Sequence, residues 1–290
     1  MSISGKTRLY GLLGDPVSHT LSPLIQNRTF HEHNIDAVYV PFHVFPEGLS
    51  AAVDGIRALN IAGVNITIPH KEAILPFLDR IDSTAQLIGA VNTIVNYEGK
   101  LFGYNTDASG FIRSVSEELG FQPEGREVLL LGAGGACRAA AVALSSEDVK
   151  SIAIANRHVE KSESLIADLS SHFPHVQFFA TDYHNDNYHV FLSTADLVVN
   201  ATSVGLKGEK LSFFPLEHIK AGALIFDMIY SSSETPLIST ARSAGFLCAD
   251  GRGMLAVQGE DAFYLWTGIR LPAGYMRQIL ESGCIPSACG

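Results

Sequence analysis

Short apolar runs alternate along this chain with longer stretches in which apolar residues recur at helical spacing, the pattern of βαβ units. In the first hundred residues the runs Arg8–Leu13, Ala37–His43, Ala62–Thr67 and Val91–Asn96 predict strands. Between them, Ser22–His33 predicts a helix that opens on Ser-Pro, a capping residue followed by proline at the first helical position. Pro46–Leu59 predicts a second, with Leu49, Val53, Ile56 and Leu59 on one face. A new block begins near Arg126, with strand Glu127–Leu131, a glycine-rich turn and the Ala-rich helix Arg138–Leu144. Strand Ser151–Ala155, helix Lys161–Ser171 and strands Val176–Phe179, Leu197–Asn200, Ala223–Met228 and Phe246–Ala249 follow. A last helical pattern, Met254–Thr267, comes after this block is complete, and periodicity does not say which block it packs on. The fold class expected is α/β, in two units.

Composition narrows what such a chain does. At 290 residues and 47% hydrophobic content it has enough apolar surface for two ordinary domains, which excludes a disordered chain. The formal net charge of −10 disfavours nucleic acid, whose phosphates need a basic footprint. A small anionic ligand stays possible if a local basic pocket opposes the global field. No apolar run approaches the ~20 residues of a membrane span, and the opening stretch lacks a secretory apolar core. Cys137, Cys248, Cys284 and Cys289 show neither metal-ligand nor disulfide spacing, and the last two read as an incidental pair in the tail. His172, His175, His184 and His189 read as solvated side chains rather than a metal site, and Tyr97–Lys100 reads as a hairpin turn. A reduced, cytoplasmic protein without metal, membrane or nucleic-acid partners is the expectation.

The turn after Leu131 reads Gly132-Ala133-Gly134-Gly135-Ala136-Cys137-Arg138. Its first glycine suits a tight turn and its second lets backbone approach a pyrophosphate, with a helix N-terminus behind. Cys137 stands where the third glycine of a dinucleotide fingerprint falls, and is small enough for close helix–strand packing. At the tip of the next strand, Asn156-Arg157-His158 and then Lys161 replace the carboxylate that holds a ribose hydroxyl in NAD sites. A carboxylate would repel a 2′-phosphate and an arginine pairs with it, so NADP is favoured over NAD. The plainer alternative, a solvated helix start, sets cations against the helix dipole.

The first block gathers polar residues in apolar settings: Asn65–Lys71, Asn92-Thr93 and Asn105-Thr106-Asp107. Strand-end polar groups in an α/β unit face the ligand cleft, although Asp107 also suits the cap of a helix over Ala108–Leu119. Further motifs are Gly14-Asp15-Pro16, His19-Thr20-Leu21-Ser22-Pro23, Gly89–Thr93, Gly103–Asp107, Asn200–Gly205, Asp227–Tyr230, Thr235-Pro236-Leu237 and Met254–Gln258. With the turn at Gly132 and Asn156-Arg157, they occur in an order that resembles the shikimate dehydrogenase family, including its quinate/shikimate relatives, across most of the chain.

That resemblance implies reversible hydride transfer between NADP(H) and shikimate or 3-dehydroshikimate, in the route to aromatic amino acids. It implies an N-terminal substrate domain over residues 1–108, completed by C-terminal helices over about 254–290, and a Rossmann-like NADP domain over 109–253, with a cleft between. Lys71 matches the family's catalytic lysine and Asp107 its partner carboxylate. Thr20, Ser22 and Tyr230 match contacts to the substrate carboxylate; Asn65, Thr67, Asn92, Asp107 and Gln258 match contacts to ring hydroxyls. Gly132, Ala133, Gly134, Gly135, Ala136, Asn156, Arg157, His158, Lys161, Ala201, Thr202, Ser203, Met228 and Gly251 are the expected cofactor residues, for a monomer or homodimer that binds no metal. Three departures stand out. The common Ser-x-Ser is Thr20-Leu21-Ser22, which adds a methyl group beside the carboxylate and leaves quinate as an alternative substrate. Tyr230-Ser231-Ser232 replaces Tyr-Asn-Pro, and His158 puts an imidazole where a hydroxyl usually meets the 2′-phosphate. Relaxed NAD/NADP choice, or a non-catalytic NADPH-binding regulatory paralogue, are the remaining alternatives.

Overall fold

The computed structural model describes residues 3–231 and 234–282. They fall into two compact units, one comprising Met1–Thr106 and Leu255–Gly290, the other Asp107–Met254. Both are α/β, as the alternation predicts.

The first unit runs β1 (Arg8–Gly14), α1 (Ser22–Glu32), β2 (Ala37–His43), α2 (Leu49–Ala58), β3 (Gly63–Ile66), α3 (His70–Ala73), β4 (Arg80–Ile81), α4 (Ser83–Ile88), β5 (Thr93–Tyr97) and β6 (Lys100–Tyr104). Its sheet has the order β2-β1-β3-β5-β6-β4. β1 pairs in parallel with β2 and β3, while β5 runs antiparallel to both β3 and β6. β6 escapes the sequence reading, although the turn before it does not. Glu98 and Gly99 both have positive φ, which a two-residue hairpin requires, and Tyr97 pairs with Lys100. Helix α1 corrects one expectation: it starts at Ser22, so Ser22 is not its cap. Thr20 is the acceptor instead, since its Oγ1 takes the Ser22 backbone N–H at 3.2 Å. Leu13, Leu49, Val53, Ile56, Val64, Ile66 and Ile94 form part of the buried core, α2 contributing Leu49, Val53 and Ile56. Leu59, expected on the same face, lies beyond the end of α2 and is exposed.

The second unit runs α5 (Asp107–Leu119), β7 (Glu127–Leu131), α6 (Gly135–Ser145), β8 (Ser151–Ala155), α7 (Val159–Ser170), β9 (Gln177–Thr181), α8 (Asp186–Thr194), β10 (Leu197–Asn200), β11 (Leu224–Asp227), α9 (Pro236–Ser243) and β12 (Cys248–Asp250). All six strands are parallel, in the order β12-β11-β10-β7-β8-β9. This is the doubly wound order with its switch point at β7/β10, which leaves a crevice outside the carboxyl ends of those strands. Strands of this kind are covered on both faces, which is why β7, β8 and β10 read as unbroken apolar runs. Asp107 lies in the first turn of α5 rather than before it, and α6 opens at Gly135, ahead of the Arg138 start that alanine content suggests.

Helix α10 (Arg252–Thr267) opens before the boundary at Leu255 and continues into the first unit, followed by α11 (Tyr275–Ser282). Trp266 settles the packing question that periodicity left open. Its Nε1 donates to the Ile94 carbonyl at 3.0 Å, and a Cβ on Gly63 would lie 2.3 Å from that nitrogen. Cys284, Cys289 and Ser232 lie outside the described residues. Among the described residues no helix is long and apolar enough to cross a membrane, and no cluster of His, Cys, Asp or Glu is arranged for a metal ion.

Candidate active site

In the first unit, strand register decides which polar residues meet. Leu12 pairs with Asn65, Asn65 with Thr93, and Thr93 with Tyr104. The carboxyl ends of β1, β3 and β6 and the amino end of β5 therefore share one edge of the sheet. Asn65 is buried there, its Oδ1 accepting from the Tyr39 hydroxyl at 2.8 Å and its Nδ2 donating to Thr93 Oγ1 at 3.0 Å. Asn92 is buried as well; its Oδ1 accepts the Thr106 N–H at 2.8 Å and its Nδ2 donates to Thr106 Oγ1 at 3.0 Å. Thr106 Oγ1 also donates to the Gln258 carbonyl at 3.2 Å, which brings α10 to the same edge. The Gln258 amide donates to Leu255 of its own helix. Thr67 leaves β3 with its methyl group where a Cβ on Gly14 would stand, 2.2 Å away, so β1 must end in glycine.

Lys71 is half-buried on α3, and its carbonyl accepts the Val91 N–H at 2.9 Å. The residue before it, His70, is buried and bonds through Nε2 to the Val44 carbonyl at 2.7 Å. His70, Tyr39 and Thr106 anchor the predicted side chains, and no periodicity in the sequence marks them. On the loop before α1, Thr20 Oγ1 donates to Ser22 Oγ at 3.2 Å, so the two hydroxyls expected to meet a carboxylate do stand together.

In the second unit the glycine turn crosses from β7 to α6. Gly132 has φ +106° and donates its N–H to the Ala155 carbonyl at 2.8 Å. A Cβ there would lie 3.1 Å from the Thr202 methyl and 3.2 Å from the Ala201 oxygen, so this turn packs directly on the loop after β10. Gly134 precedes α6 and faces open space: nothing lies within 4 Å of where its Cβ would be. The first intrahelical bond is made by the Arg138 N–H to Gly134, leaving the N–H groups of Gly135, Ala136 and Cys137 ahead of it as an anion cradle. Cys137 is fully buried, and burial pushes its thiol up to about 12, so it serves as packing in the third glycine's place. Arg157, His158 and Lys161 are exposed around the start of α7, where Asn156 Nδ2 donates to the His158 carbonyl at 2.9 Å. Tyr183, which the sequence did not single out, stacks on Phe213 with ring centroids 4.1 Å apart. Burial and the neighbouring Cys137 push its phenol up to about 12, against the pull of Arg157 and the Gly132 N–H, which marks it as a neighbour of both.

The loops after β10 and β11 are joined underneath. Asn200 Oδ1 accepts from the Thr202 N–H at 3.1 Å and hydroxyl at 2.7 Å. Asn200 Nδ2 donates to Asp227 Oδ1 at 2.9 Å. A Cβ on Gly251 would sit 2.3 Å from the Met228 carbonyl oxygen, so only glycine admits that loop. Tyr230 is half-buried; burial, and then the charge of Asp107, push its phenol above its ordinary range. The charge of Asp107 is thus felt at Tyr230 within the second unit, although the two are far apart in sequence.

A six-stranded parallel sheet with a glycine turn into α6, no carboxylate at the tip of β8 and a cationic α7 start defines a dinucleotide-binding oxidoreductase with an added substrate unit. Residues 12–94 match the shikimate dehydrogenase substrate binding domain, residues 115–207 the shikimate / quinate 5-dehydrogenase family, and residues 251–281 the shikimate 5′-dehydrogenase C-terminal domain. A shikimate dehydrogenase (NADP(+)) of Geobacter metallireducens is 46% identical over 278 residues, 96% of this chain and 97% of the relative. The crystal structure of the Aquifex aeolicus shikimate dehydrogenase superposes with a TM-score of 0.87 at 38% identity, covering 96% of this chain and 99% of that one. The shikimate 5-dehydrogenase of Thermus thermophilus, solved with NADP(H) and shikimate, gives 0.84 at 32% identity, over 95% of this chain and 99% of that one. The chain belongs to the shikimate dehydrogenase family.

Proposed function

We propose that this protein catalyses the reversible, NADP-dependent reduction of 3-dehydroshikimate to shikimate, in the cytoplasm, as a monomer or homodimer. The observation that carries this reading is the edge of the first sheet where Asn65, Thr67, Lys71, Asn92 and α10 gather around one register. A polyol needs matched donors and acceptors, because each unpaired buried polar group costs about 1–3 kcal/mol. Asn65, Thr67, Asn92 and Gln258 supply them for the ring, and Thr20, Ser22 and Tyr230 for the carboxylate.

The residues present also fit the cofactor. Gly132, Ala133, Gly134, Gly135 and Ala136 would hold the pyrophosphate, Asn156, Arg157, His158 and Lys161 the 2′-phosphate, and Ala201, Thr202, Ser203, Met228 and Gly251 the nicotinamide end. NADPH supplies the hydride. Reduction of a ketone puts negative charge on its oxygen, so a proton donor and a cation must meet it there. Lys71 takes both roles in our reading, giving up a proton in reduction and taking one back in oxidation, while Asp107 orients the ammonium group and a ring hydroxyl. Val91, which bonds the Lys71 carbonyl, precedes Asn92, and Asn92 holds Thr106, the residue before Asp107.

Thr20 favours a second reading, a dual shikimate/quinate enzyme, because its methyl group changes the carboxylate's surroundings. Nicotinamide absorbance with shikimate or quinate, each paired with NADP⁺ or NAD⁺, tests both. Turnover confined to shikimate and NADP⁺ is expected. Comparable quinate turnover establishes the second reading, and NADPH binding without any turnover establishes a regulatory protein instead.

A further inference from the structure

Asp227 closes β11 with no exposed surface, and its charge is met by hydrogen-bond donors from three directions. Oδ1 accepts from the Asn200 amide at 2.9 Å and from the Ile229 N–H at 3.1 Å; Oδ2 accepts from the Thr235 hydroxyl at 2.6 Å. The two oxygens do different things. Through Asn200, Oδ1 reaches the N–H and hydroxyl of Thr202 on the loop after β10. Through Ile229 it fixes the backbone between Met228 and Tyr230 on the loop after β11. Oδ2 instead holds Thr235, whose Oγ1 accepts from the Ile238 N–H and caps α9. One carboxylate oxygen therefore sets the register between two loops that carry proposed ligand contacts, and the other anchors a helix.

We propose that Asp227 is a positioning residue for both ligands: its Oδ1 locks Thr202, a proposed cofactor contact, to the segment that carries Met228 and Tyr230, proposed contacts to cofactor and substrate. A carboxylate suits this task because its two oxygens accept from all three donors; burial pushes its carboxyl up, and the bonds from Thr235, Ile229 and Asn200 pull the other way. Gly251, which admits the Met228 carbonyl by lacking a side chain, meets the other side of the same peptide, whose Ile229 N–H goes to Asp227. The proposal rests on the ligand assignments above and says how they are kept in place.

The measurements are KM for shikimate and for NADP⁺, kcat, and melting temperature. Asp227→Ala is expected to raise both KM values about ten-fold, the scale of one lost buried hydrogen-bond tie, with a smaller change in kcat. Asp227→Asn should recover most of that loss, since its amide oxygen still accepts from Asn200 and Ile229 while its NH2 turns to the Thr235 hydroxyl. Thr235→Val removes the Oδ2 partner and the α9 cap but leaves the Oδ1 ties intact, so it should lower the melting temperature and leave both KM values at the wild-type level. If Asp227→Ala does not fold, Asn200→Ala cuts the same tie from the other side and should raise both KM values alike. Unchanged KM values in the folded Ala variant overturn the proposal. So does a KM rise in Thr235→Val that matches its loss of melting temperature, because the effect then follows stability alone. A wild-type enzyme that fails to oxidise shikimate with NADP⁺ overturns the functional reading instead.

Discussion

Lys71 rides on α3, a helix of four residues, too short to hold itself. Its position comes from outside: the buried His70 ring bonded to Val44, and the Val91 N–H on the Lys71 carbonyl. Replacing the ammonium should therefore disturb chemistry far more than structure. Lys71→Ala is expected to lower kcat by at least about 10²-fold, the usual weight of a proton-transferring group, with NADPH affinity measured by fluorescence titration nearly unchanged. A parallel loss of NADPH binding would show the role to be misassigned. Gly132 makes the opposite case. At φ +106° an L side chain is strained, and its Cβ would press on Ala201 and Thr202. Gly132→Ala should cost stability on the order of 1–2 kcal/mol and weaken NADPH binding while leaving Lys71 untouched.

Elements show where local signals suffice. The hairpin between β5 and β6 is visible in Glu98-Gly99, and α4 starts where Asp82 accepts from the N–H groups of Thr84 and Ala85. Asp82→Ala should lower the unfolding free energy by about 1 kcal/mol in denaturant titration, as for other lost caps. Other elements carry weak signals. β4 has two residues and α3 four, below the length at which periodicity speaks. Ser-Pro at α1 reads as a cap in sequence, yet Leu21 holds the capping position without a side-chain bond and Ser22 lies in the first turn, its N–H taken by Thr20 Oγ1. Trp266 shows a helix face given meaning by its partner. Its indole fills the space left by Gly63, so Trp266→Ala should cost about 3–5 kcal/mol, read as a fall in melting temperature.

At the scale of the molecule, the second unit separates its stability from its chemistry. Asp196 lies just before β10, at the amino end of the sheet, away from the ligand loops at the carboxyl ends. Burial pushes its carboxyl up, but the Lys220 hydrogen bond at 2.7 Å, the Glu127 N–H at 3.0 Å and the charges of Lys220 and Arg126 outweigh that and hold it below the usual range. A carboxylate held low in the folded state stabilises above its unfolded value and loses that contribution as pH falls through the folded one. Denaturation midpoints should therefore drop on acidification below the carboxylate range, and Asp196→Asn should flatten that drop. An unaltered acid limb in the variant would assign the effect to other carboxylates.

The sequence by itself determined the two α/β units, the glycine turn into α6, the absence of a carboxylate at the NADP-discriminating tip and the family, because strand runs, turn chemistry and motif order are local or collinear properties. Tertiary structure alone decided the rest. The antiparallel pairing of β5 with β3 and β6 brings Asn65, Thr93 and Thr106 to one edge, and no periodicity encodes register between distant strands. The return of α10 to the first unit was implied by the family resemblance and not by periodicity, whereas the bond of Trp266 to Ile94 and the Asn200–Asp227–Thr235 tie are contacts between segments far apart in the chain that only the structure shows. Such contacts form where packing of the whole unit repays the cost of closing long loops, and a linear pattern of polar and apolar residues holds no record of that balance.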